Sequence, residues 1–463
     1  MKKHLLLSKL LILLLFCGFI QSCGEHEKQS KSKVERNDHP NILVIIADDA
    51  GWNDMSFHGS EIETPNIDKL AEKGAQLNRF YVNPTCSPTR ASLLTGMPAS
   101  RMGIVAPISG RSEKTLPNTI ETLPQALQKN GYQTALMGKW HLGLKPESGP
   151  SAYGFDYSYG FLHGQIDQYA HTYKNGDLSW YRNGTFISEN GHATDLITKE
   201  VINWLTKKRD TTRSFYLQVA YSAPHIPLQE SEKWKGKYTG KIKDTSRRDY
   251  AAAMTHMDHR IGDILKILSE QDLDENTLIV FMSDNGAQKN WEPVTQYNGK
   301  YGPNPVLGSN LPLRDYKTTN YDGSIRVPAI LYWKDHVPAK IYSNYVTVND
   351  LMPTVLDLAK VKNIPKTVEG KSIWPLLTGE NDSLNHSIYV RGHIQESYIK
   401  KPWKLIRTRH LDRDPDFEMY NLEKDPSEEN NVLKENPDIA AQLKQSLEEE
   451  FSKDAKEVNV ELQ

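Results

Sequence analysis

PNILVIIADD, residues 40–49, is the stretch of sequence that decides the fold. It joins six consecutive apolar residues at 42–47 to the pair Asp48 and Asp49. A continuous, largely β-branched run without polar alternation predicts a strand buried on both faces, as inside a parallel sheet. Similar runs at 278–282 and 214–221 lead towards Asp284 and His225. We therefore expect neighbouring parallel strands whose carboxyl ends carry polar side chains.

Helical patterns alternate with these strands. Thr64 and Pro65 predict a helix start, with Ile67 and Leu77 expected on its buried face. Further helices are expected at 119–130, 249–269 and 349–360, and a further strand at 132–138. This alternation predicts an α/β fold, with a large, mainly parallel sheet sandwiched by helices. In such sheets, ligands bind at the carboxyl ends of the strands.

The pattern changes after about residue 380. Short alternating segments at 387–390, 403–407 and 419–422 predict a small antiparallel sheet, and 438–451 predicts an amphipathic helix. We therefore divide the 463 residues into a signal peptide at 1–22, a flexible tether at 23–39, a main domain at 40–380 and a C-terminal α+β subdomain at 381–463.

The amino terminus has the features of an export signal. Lys2 and Lys3 precede an apolar stretch at 10–20 that is too short to span a bilayer. The segment IQSCG at 20–24 resembles a bacterial lipobox, which implies that Cys23 is lipidated. The protein would then be exported and lipid-anchored to the bacterial cell envelope, at the outer membrane, facing either the periplasm or the surface. An ordinary cleavable signal is the alternative.

The charge and the cysteine content of the chain exclude two classes of protein: those that bind polyanions through their net charge and those held together by disulfides. Lys and Arg number 56 against 58 Asp and Glu, so the formal net charge of −2 gives no general attraction to nucleic acid or to an anionic membrane. The three cysteines, Cys17, Cys23 and Cys86, exclude a disulfide framework.

Two pairs of side chains with oxygen ligands suggest a metal site. Asp48 and Asp49 follow one predicted strand, and Asp284 and Asn285 follow another. Their oxygens are the hard ligands that a divalent cation prefers. Each pair alone is also typical of residues that cap strand ends and turns. Because both pairs follow strands of one sheet, the sequence favours the metal site.

Cys86 opens the segment CSPTRASLLTG at 86–96, in a loop expected just before a helix. A lone cysteine is otherwise typical of a buried apolar filler. Here the pattern Cys-X-Pro-X-Arg followed by Leu-Thr-Gly resembles the motif of type I sulfatases, which belong to the alkaline-phosphatase superfamily. In that family the cysteine is oxidised to formylglycine. The resemblance runs from about Pro40 through the C-terminal sheet.

Other segments resemble family motifs in the same order. They are GKWHLG at 138–143, APH at 223–225, SDNG at 283–286, LRDYK at 313–317 and MYNLEKDP at 419–426. Two positions depart from the family pattern. Thr89 stands where serine or alanine is usual, and the triplet 322–324 reads Asp-Gly-Ser where Glu-Gly-Gly is usual.

The resemblance implies a role for each site residue in sulfate ester hydrolysis. Ca²⁺ would be held by Asp48, Asp49, Asp284, Asn285 and the modified Cys86. A formylglycine-generating enzyme or an anaerobic maturase would convert Cys86 to formylglycine, the nucleophile. Arg90 and His141 would hold and deprotonate it, Lys139 and Lys317 would bind the sulfate oxygens, and His225 would protonate the leaving group.

The segment 153–184 is rich in tyrosine, histidine and asparagine, and we expect it to form a loop over the active-site rim. It resembles the arylsulfatase B branch, which implies a sulfated oligosaccharide or polysaccharide fragment as substrate. Trp180 and the tyrosines would stack on sugar rings, while His163, His171 and Arg182 would contact hydroxyl, acidic or further sulfate groups. An aromatic-rich loop that packs on itself is the alternative.

Two other functions stay open. A phosphodiesterase or phosphonate hydrolase of the same superfamily would use a similar nucleophile. A surface lipoprotein that binds sulfated glycan without cleaving it is the alternative from a different class.

Overall fold

The computed structural model describes residues 39–110, 112–174, 176–293 and 295–456. The strand Asn41–Ala47 lies in the interior of a ten-stranded sheet and pairs in parallel with Phe215–Ala220 and Thr277–Ser283. In spatial order the ten strands are Lys340–Tyr342, Ala75–Leu77, Ala329–Tyr332, Thr277–Ser283, Asn41–Ala47, Phe215–Ala220, Gln133–Lys139, Tyr157–Phe161, Trp180–Arg182 and Thr185–Phe186. Antiparallel pairings occur towards both edges, so the sheet is mixed but mostly parallel.

Side chains of the central strand alternate between two hydrophobic cores. Ile42, Val44 and Ile46 pack into one core, and Leu43 and Ile45 into the other. Because successive residues of a strand point to opposite faces, a strand covered on both sides must be apolar at every position. The prediction of a helix-sandwiched α/β sheet is confirmed.

Helices cover both faces of this sheet. The α-helices of the described residues are Pro65–Lys73, Cys86–Thr95, Leu123–Lys129, Ala193–Asn203, Glu232–Lys235, Thr245–Glu270, Asp322–Ile325, Leu351–Leu358, Trp374–Leu377 and Pro437–Phe451. Among the described residues, none of the helices is both long and apolar enough to cross a bilayer.

The C-terminal part forms the predicted antiparallel sheet, with strands Ile388–Arg391, Gln395–Lys400, Trp403–Thr408 and Asp416–Asn421. The helix Pro437–Phe451 packs on this sheet through Leu443 and Leu447. Two smaller sheets complete the fold, one of Phe80–Tyr81, Arg326–Val327 and Val346–Thr347, the other of Thr172–Tyr173 and Asp177–Leu178.

Three local predictions were wrong. Leu77 belongs to the strand Ala75–Leu77, because the helix that begins at Pro65 ends at Lys73, before Gly74. Cys86 is the first residue of a helix, not part of the loop before it. The segment 153–184 is not one loop, because its residues 157–161 and 180–182 pair as strands of the main sheet.

The predicted signal peptide, the tether up to residue 38 and the lipidation site Cys23 lie outside the described residues. The predicted boundary between residues 380 and 381 stays a prediction.

Candidate active site

Four adjacent parallel strands end at the same edge of the sheet and bring the predicted site residues together. Asp48 follows the strand Asn41–Ala47, and its backbone N–H donates to the carbonyl of Ala223, 3.0 Å away. The N–H of Asp284 donates to the carbonyl of Ala47 at 3.1 Å. Lys139 is the last residue of its strand. The register of the sheet therefore fixes the spacing of the acidic residues.

Three buried ion pairs form the floor of the site. Asp48 Oδ2 lies 2.6 Å from Lys139 Nζ, and Asp49 Oδ1 lies 2.6 Å from Lys317 Nζ. In the third pair, Arg90 Nη2 lies 2.7 Å from Asp284 Oδ2. Three carboxyl groups thus face three cationic side chains. Such charges are stable in a protein interior only when they are paired.

Two buried oxygens of the site have no hydrogen-bond partner among the described residues, Asp48 Oδ1 and Asn285 Oδ1. The amide nitrogen of Asn285 donates to Asp49 Oδ1 at 2.7 Å, which orients its oxygen away from that carboxylate. An unsatisfied buried acceptor is costly, and a carboxylate with an amide oxygen is a donor set suited to Ca²⁺.

The electrostatics of Asp48 agree with this donor set. Burial raises the pKa of Asp48 to about 7, because desolvation outweighs the opposing effect of Lys139. Ligand atoms of Asp48, Cys86 and Asp284 lie within 4.8 Å of one another. A bound cation would offset the desolvation of these carboxylates. The residues present therefore fit a divalent cation.

Cys86 faces a histidine whose proton position is determined by its contacts. His141 Nδ1 lies 3.1 Å from Cys86 Sγ, while His141 Nε2 lies 2.9 Å from the carbonyl oxygen of Ile108. Burial, with the charges of Lys139 and Arg90, holds the pKa of His141 well below its usual value, so the ring is neutral. Because a carbonyl only accepts, Nε2 carries the proton and Nδ1 is a proton acceptor towards residue 86.

The cysteine thiol itself is a poor nucleophile. Burial raises the pKa of the Cys86 thiol, and the positive charges of Lys139 and Lys317 offset this only in part. Thiol reactivity depends on the thiolate, so the site does not activate an unmodified cysteine.

His225 lies on the other side of Asp49. Its Nδ1 donates to the carbonyl of Ile226 at 2.7 Å, and its Nε2 lies 3.6 Å from Asp49 Oδ2. Burial lowers the pKa of His225 to about 3; Asp49 opposes this shift, and Lys317 and Lys139 add to it. Before substrate binds, His225 is therefore neutral.

Backbone geometry also holds the site in place. Asp49 and His141 have φ values of 70° and 62°, a left-handed conformation that non-glycine residues rarely adopt and that often occurs at functional sites. Gly138, with φ of 115°, passes so close to Ala220 that a Cβ would lie 1.8 Å from its carbonyl oxygen. Arg90 donates from Nη1 to the carbonyl of Lys139 at 3.0 Å as well as to Asp284, so it positions these two residues.

A cavity of about 650 Å³ opens above Cys86. Of the predicted residues, His141, His225 and Lys317 line it. Tyr173, one of the tyrosines predicted to stack on sugar rings, also lines it. Gln165 and Lys174 lie in the segment 153–184 predicted at the rim but were not singled out, and Gln288, Trp291, Gln296 and His393 were missed. They come from separated loops, and His393 lies on the turn between two C-terminal strands, so no single motif marks them.

The predicted sugar contacts His163 and Arg182 are not among the residues that line this cavity. His163 is buried and stacks on Tyr173, with ring centroids 4.4 Å apart. Arg182 pairs with Glu189 at 3.2 Å and lies over the ring of Tyr159. Its guanidinium is thus paired beside the main sheet, and its role as a substrate contact stays a prediction.

His171 and Trp180 pack on each other. Their rings stack with centroids 4.5 Å apart, and His171 Nε2 lies 3.0 Å from the carbonyl oxygen of Gly191. Both side chains are buried. This part of the segment 153–184 therefore packs on itself.

Paired lysines and an acidic cluster next to a buried histidine acceptor form a site suited to an anionic ester. A family model for sulfatases matches residues 40–361, and one for the C-terminal part of N-sulphoglucosamine sulphohydrolase matches 315–455. An uncharacterized sulfatase of Schizosaccharomyces pombe is 28% identical over 90% of this chain and 93% of its own length. N-acetylgalactosamine-6-sulfatase of Canis lupus familiaris is 31% identical over 76% of this chain and 69% of its own length.

A solved structure has the same fold. The crystal structure of Ps i-CgsB in complex with k-i-k-neocarrahexaose superposes with a TM-score of 0.81 at 30% identity, covering 90% of this chain and 94% of that chain. The chain therefore belongs to the sulfatase family. It is a sulfuric ester hydrolase.

Proposed function

We propose that this sulfatase hydrolyses sulfate esters carried by carbohydrate, with residue 86 as the nucleophile after conversion of Cys86 to formylglycine. The observation that carries the proposal is the position of Cys86. Its Sγ lies at the floor of the cavity, 3.1 Å from the unprotonated Nδ1 of His141, and within the field of Lys139 and Lys317. A nucleophile with a proton acceptor beside two cations suits attack on an anionic ester.

Each side chain around residue 86 has a separate role in the proposed reaction. One hydroxyl of the hydrated aldehyde made from Cys86 would attack sulfur while His141 Nδ1 accepts its proton. After the alcohol has left, the second hydroxyl would lose its proton, and the aldehyde would re-form as the carbon–oxygen bond to sulfate breaks. Lys139 and Lys317 place positive charge next to the sulfate oxygens. Arg90 keeps Asp284 and the end of the Lys139 strand in position.

His225 is the candidate acid for the leaving group. Lys139 and Lys317 contribute to its lowered pKa, and a sulfate ester in the cavity would neutralise part of their effect. Substrate binding therefore favours the protonated form of His225, which donates to the ester oxygen as the bond to sulfur breaks.

Ca²⁺ is the cation that we propose for the site, with Asp48, Asp49, Asp284 and Asn285 as its protein ligands. When bound, it would polarise the sulfate oxygens. The support is the pair of unpartnered oxygens on Asp48 and Asn285 and the oxygen-rich donor set.

The proposal of a carbohydrate substrate is supported by the names of similar proteins and by the size of the cavity. One relative is named N-acetylgalactosamine-6-sulfatase, and the solved Ps i-CgsB holds k-i-k-neocarrahexaose. The cavity volume of about 650 Å³ lies within the range of small-molecule sites and exceeds what a lone sulfate needs. The arylsulfatase B-like branch remains a proposal within this class.

The test is sulfate release from a panel of defined sulfated oligosaccharides. The protein is co-expressed with a formylglycine-generating enzyme, and mass spectrometry of the Cys86 peptide confirms the modification. We expect sulfate release from at least one oligosaccharide, and none from the Cys86→Ala variant. Release by Cys86→Ala at the wild-type rate would contradict the proposed nucleophile. Tight binding without release by fully modified protein would favour the glycan-binding alternative.

We also propose that Cys23 is lipidated and anchors the enzyme to the bacterial cell envelope, on the basis of the lipobox-like segment 20–24. Labelling of cells with an alkynyl fatty acid tests this. Wild-type protein should take up the label and fractionate with membranes, whereas Cys23→Ser should do neither. Equal labelling of both proteins would refute the anchor.

A further inference from the structure

The described residues that line the cavity include cations but no carboxylate. Two lysines, Lys174 and Lys317, supply the positive charge of its wall, and the neutral rings of His141 and His225 lie beside them. The chain as a whole has a formal net charge of −2, so this positive surface is local. A cavity of this kind suits a ligand with more than one negative charge.

The two lysines differ in their surroundings. Lys317 is held by both oxygens of Asp49, at 2.6 and 2.9 Å. In the part of the chain that the structure describes, Lys174 forms no ion pair, and its Nζ lies over the ring of Tyr173, 5.2 Å from the centroid. Its amine therefore remains available to an anion that enters the cavity.

Although the amine of Lys174 is available to a ligand, the backbone around Lys174 is held by contacts with other segments. The N–H of Tyr297 donates to the carbonyl of Lys174 at 2.9 Å. The preceding residue, Tyr173, is held as well. Its hydroxyl accepts from the N–H of Gly110 at 3.2 Å, and its ring stacks on the ring of His163. The backbone at Lys174 is thus held by hydrogen bonds and packing, which lowers the entropy cost of using this lysine for binding.

The residues that hold Lys174 also lie close to the reaction centre. Gly110 lies two residues from Ile108, whose carbonyl contacts His141 Nε2, and the other nitrogen of His141 contacts Cys86. Gln296, next to Tyr297 in sequence, lines the same cavity. Lys174 therefore belongs to the wall of the active-site cavity, separate from the lysines beside Asp48 and Asp49.

We propose that Lys174 forms a second anion subsite, which binds a sulfate or carboxylate group of the substrate other than the sulfate that is hydrolysed. The inference rests on the proposed function and specifies its substrate class: carbohydrate with at least two anionic groups. Lys174 is a specificity residue and takes no part in bond cleavage.

The test measures binding by calorimetry with protein made without a maturing enzyme, in buffer with Ca²⁺. The probes are N-acetylgalactosamine-6-sulfate, chondroitin-type disaccharides with an additional sulfate or a uronate carboxylate, the carboxyl-reduced disaccharide, and neocarrahexaose. Lys174→Met should weaken binding of the multiply charged probes about fivefold and reduce its salt dependence. Binding of the monosulfated monosaccharide should change less than twofold. The arms with sulfate and with carboxylate identify which group the lysine binds.

Lys174→Arg should retain the preference, and Lys199→Met, which removes an exposed lysine from the helix Ala193–Asn203, should leave all affinities unchanged. Equal affinities of wild type and Lys174→Met for every probe, or no binding of any probe to wild type, would overturn the subsite. If matured wild type releases no sulfate but the Lys174 effect is present, the proposed function fails and the subsite stands.

Discussion

At the scale of single residues, His141 has the most constrained chemistry of the site. Its two ring nitrogens contact an acceptor on one side, the carbonyl of Ile108, and residue 86 on the other. Because the pKa of His141 is held well below its usual value, the ring keeps the same tautomer across the neutral pH range. The position of one proton thus follows from a backbone carbonyl.

We predict that His141→Ala lowers kcat for 4-nitrophenyl sulfate by about 10²- to 10⁴-fold, the usual contribution of a general base. His259→Ala, on an exposed part of the helix Thr245–Glu270, is the control and should retain activity. Circular dichroism confirms that both variants fold. A kcat for His141→Ala within threefold of wild type would exclude its role as the base.

Asp48 has one oxygen bound to Lys139 and one without a partner. If Ca²⁺ binds there, it stabilises the native state, by about 2.7 kcal/mol at a hundredfold excess over its Kd. Calcium should therefore raise the Tm of wild-type protein treated with a chelator, and should not raise that of Asp48→Asn. The surface variant Asp263→Asn should respond like wild type. An equal calcium response in all three proteins would place the ion elsewhere.

At the scale of elements, the helix Thr245–Glu270 carries a buried histidine that lies between two carboxylates. His256 lies 2.9 Å from Glu230 through Nδ1 and 2.9 Å from Asp195 through Nε2. Burial lowers its pKa, but the two carboxylates outweigh burial, so the pKa of His256 is raised. His192 is close to Glu230 on the other side, and Trp234 stacks on the ring.

A raised pKa of a histidine in the folded state means that its charge stabilises the protein below the pKa of the unfolded chain, about 6.5. This contribution is lost as the pH rises through the folded-state pKa. The free energy of unfolding should therefore fall more steeply between pH 6 and pH 9 for wild type than for His256→Gln, measured by urea unfolding. Parallel pH profiles for the two proteins would contradict this assignment.

Sequence patterns predicted the elements where burial is uniform. The strand Asn41–Ala47 is apolar at every position because both faces are covered, which makes it visible without knowledge of its partners. The segment 153–184 was predicted as a loop because it is rich in tyrosine, histidine and asparagine. Its strand Tyr157–Phe161 contains Ser158 and Gly160 and has no clear hydrophobic period. Its pairing with Gln133–Lys139 depends on a tertiary contact at Gly160, which sequence alone does not reveal.

The site residues divide in the same way, into those marked by local sequence and those placed by tertiary contacts. Asp48, Lys139 and Asp284 were predicted because they follow recognisable strands or motifs. Lys174 was missed because a lysine between a tyrosine and an asparagine has no local signature, and its place in the cavity depends on Tyr297, which is more than a hundred residues away in sequence.

At the scale of the whole molecule, a buried ionic cluster joins the C-terminal sheet to the rest of the fold. Lys404, on the strand Trp403–Thr408, lies 2.8 Å from Asp322 and 2.6 Å from Glu428, and all three side chains are fully buried. Asp322 begins the Asp-Gly-Ser triplet that departs from the family pattern. Burial raises the pKa of Glu428 to about 7, although Lys404 opposes the shift.

Removal of one member of such a cluster leaves uncompensated buried charge, which costs about 3–5 kcal/mol. We predict that Lys404→Met lowers the free energy of unfolding by this amount at pH 8. The loss should be smaller at pH 6, because a protonated Glu428 leaves only one buried negative charge. The exposed Lys401→Met is the control and should be neutral. A pH-independent loss would show that Glu428 does not titrate in this range.

The central claim is sulfate ester hydrolysis by a modified residue 86. The most direct measurement compares matured wild type and Cys86→Ala on an aryl sulfate, an aryl phosphodiester and an aryl phosphonate, with mass spectrometry of the Cys86 peptide. We predict that wild type with formylglycine has its highest kcat/KM on the sulfate ester, and that Cys86→Ala is inactive on it. Faster turnover of the phosphodiester or phosphonate by fully modified wild type would contradict the claim.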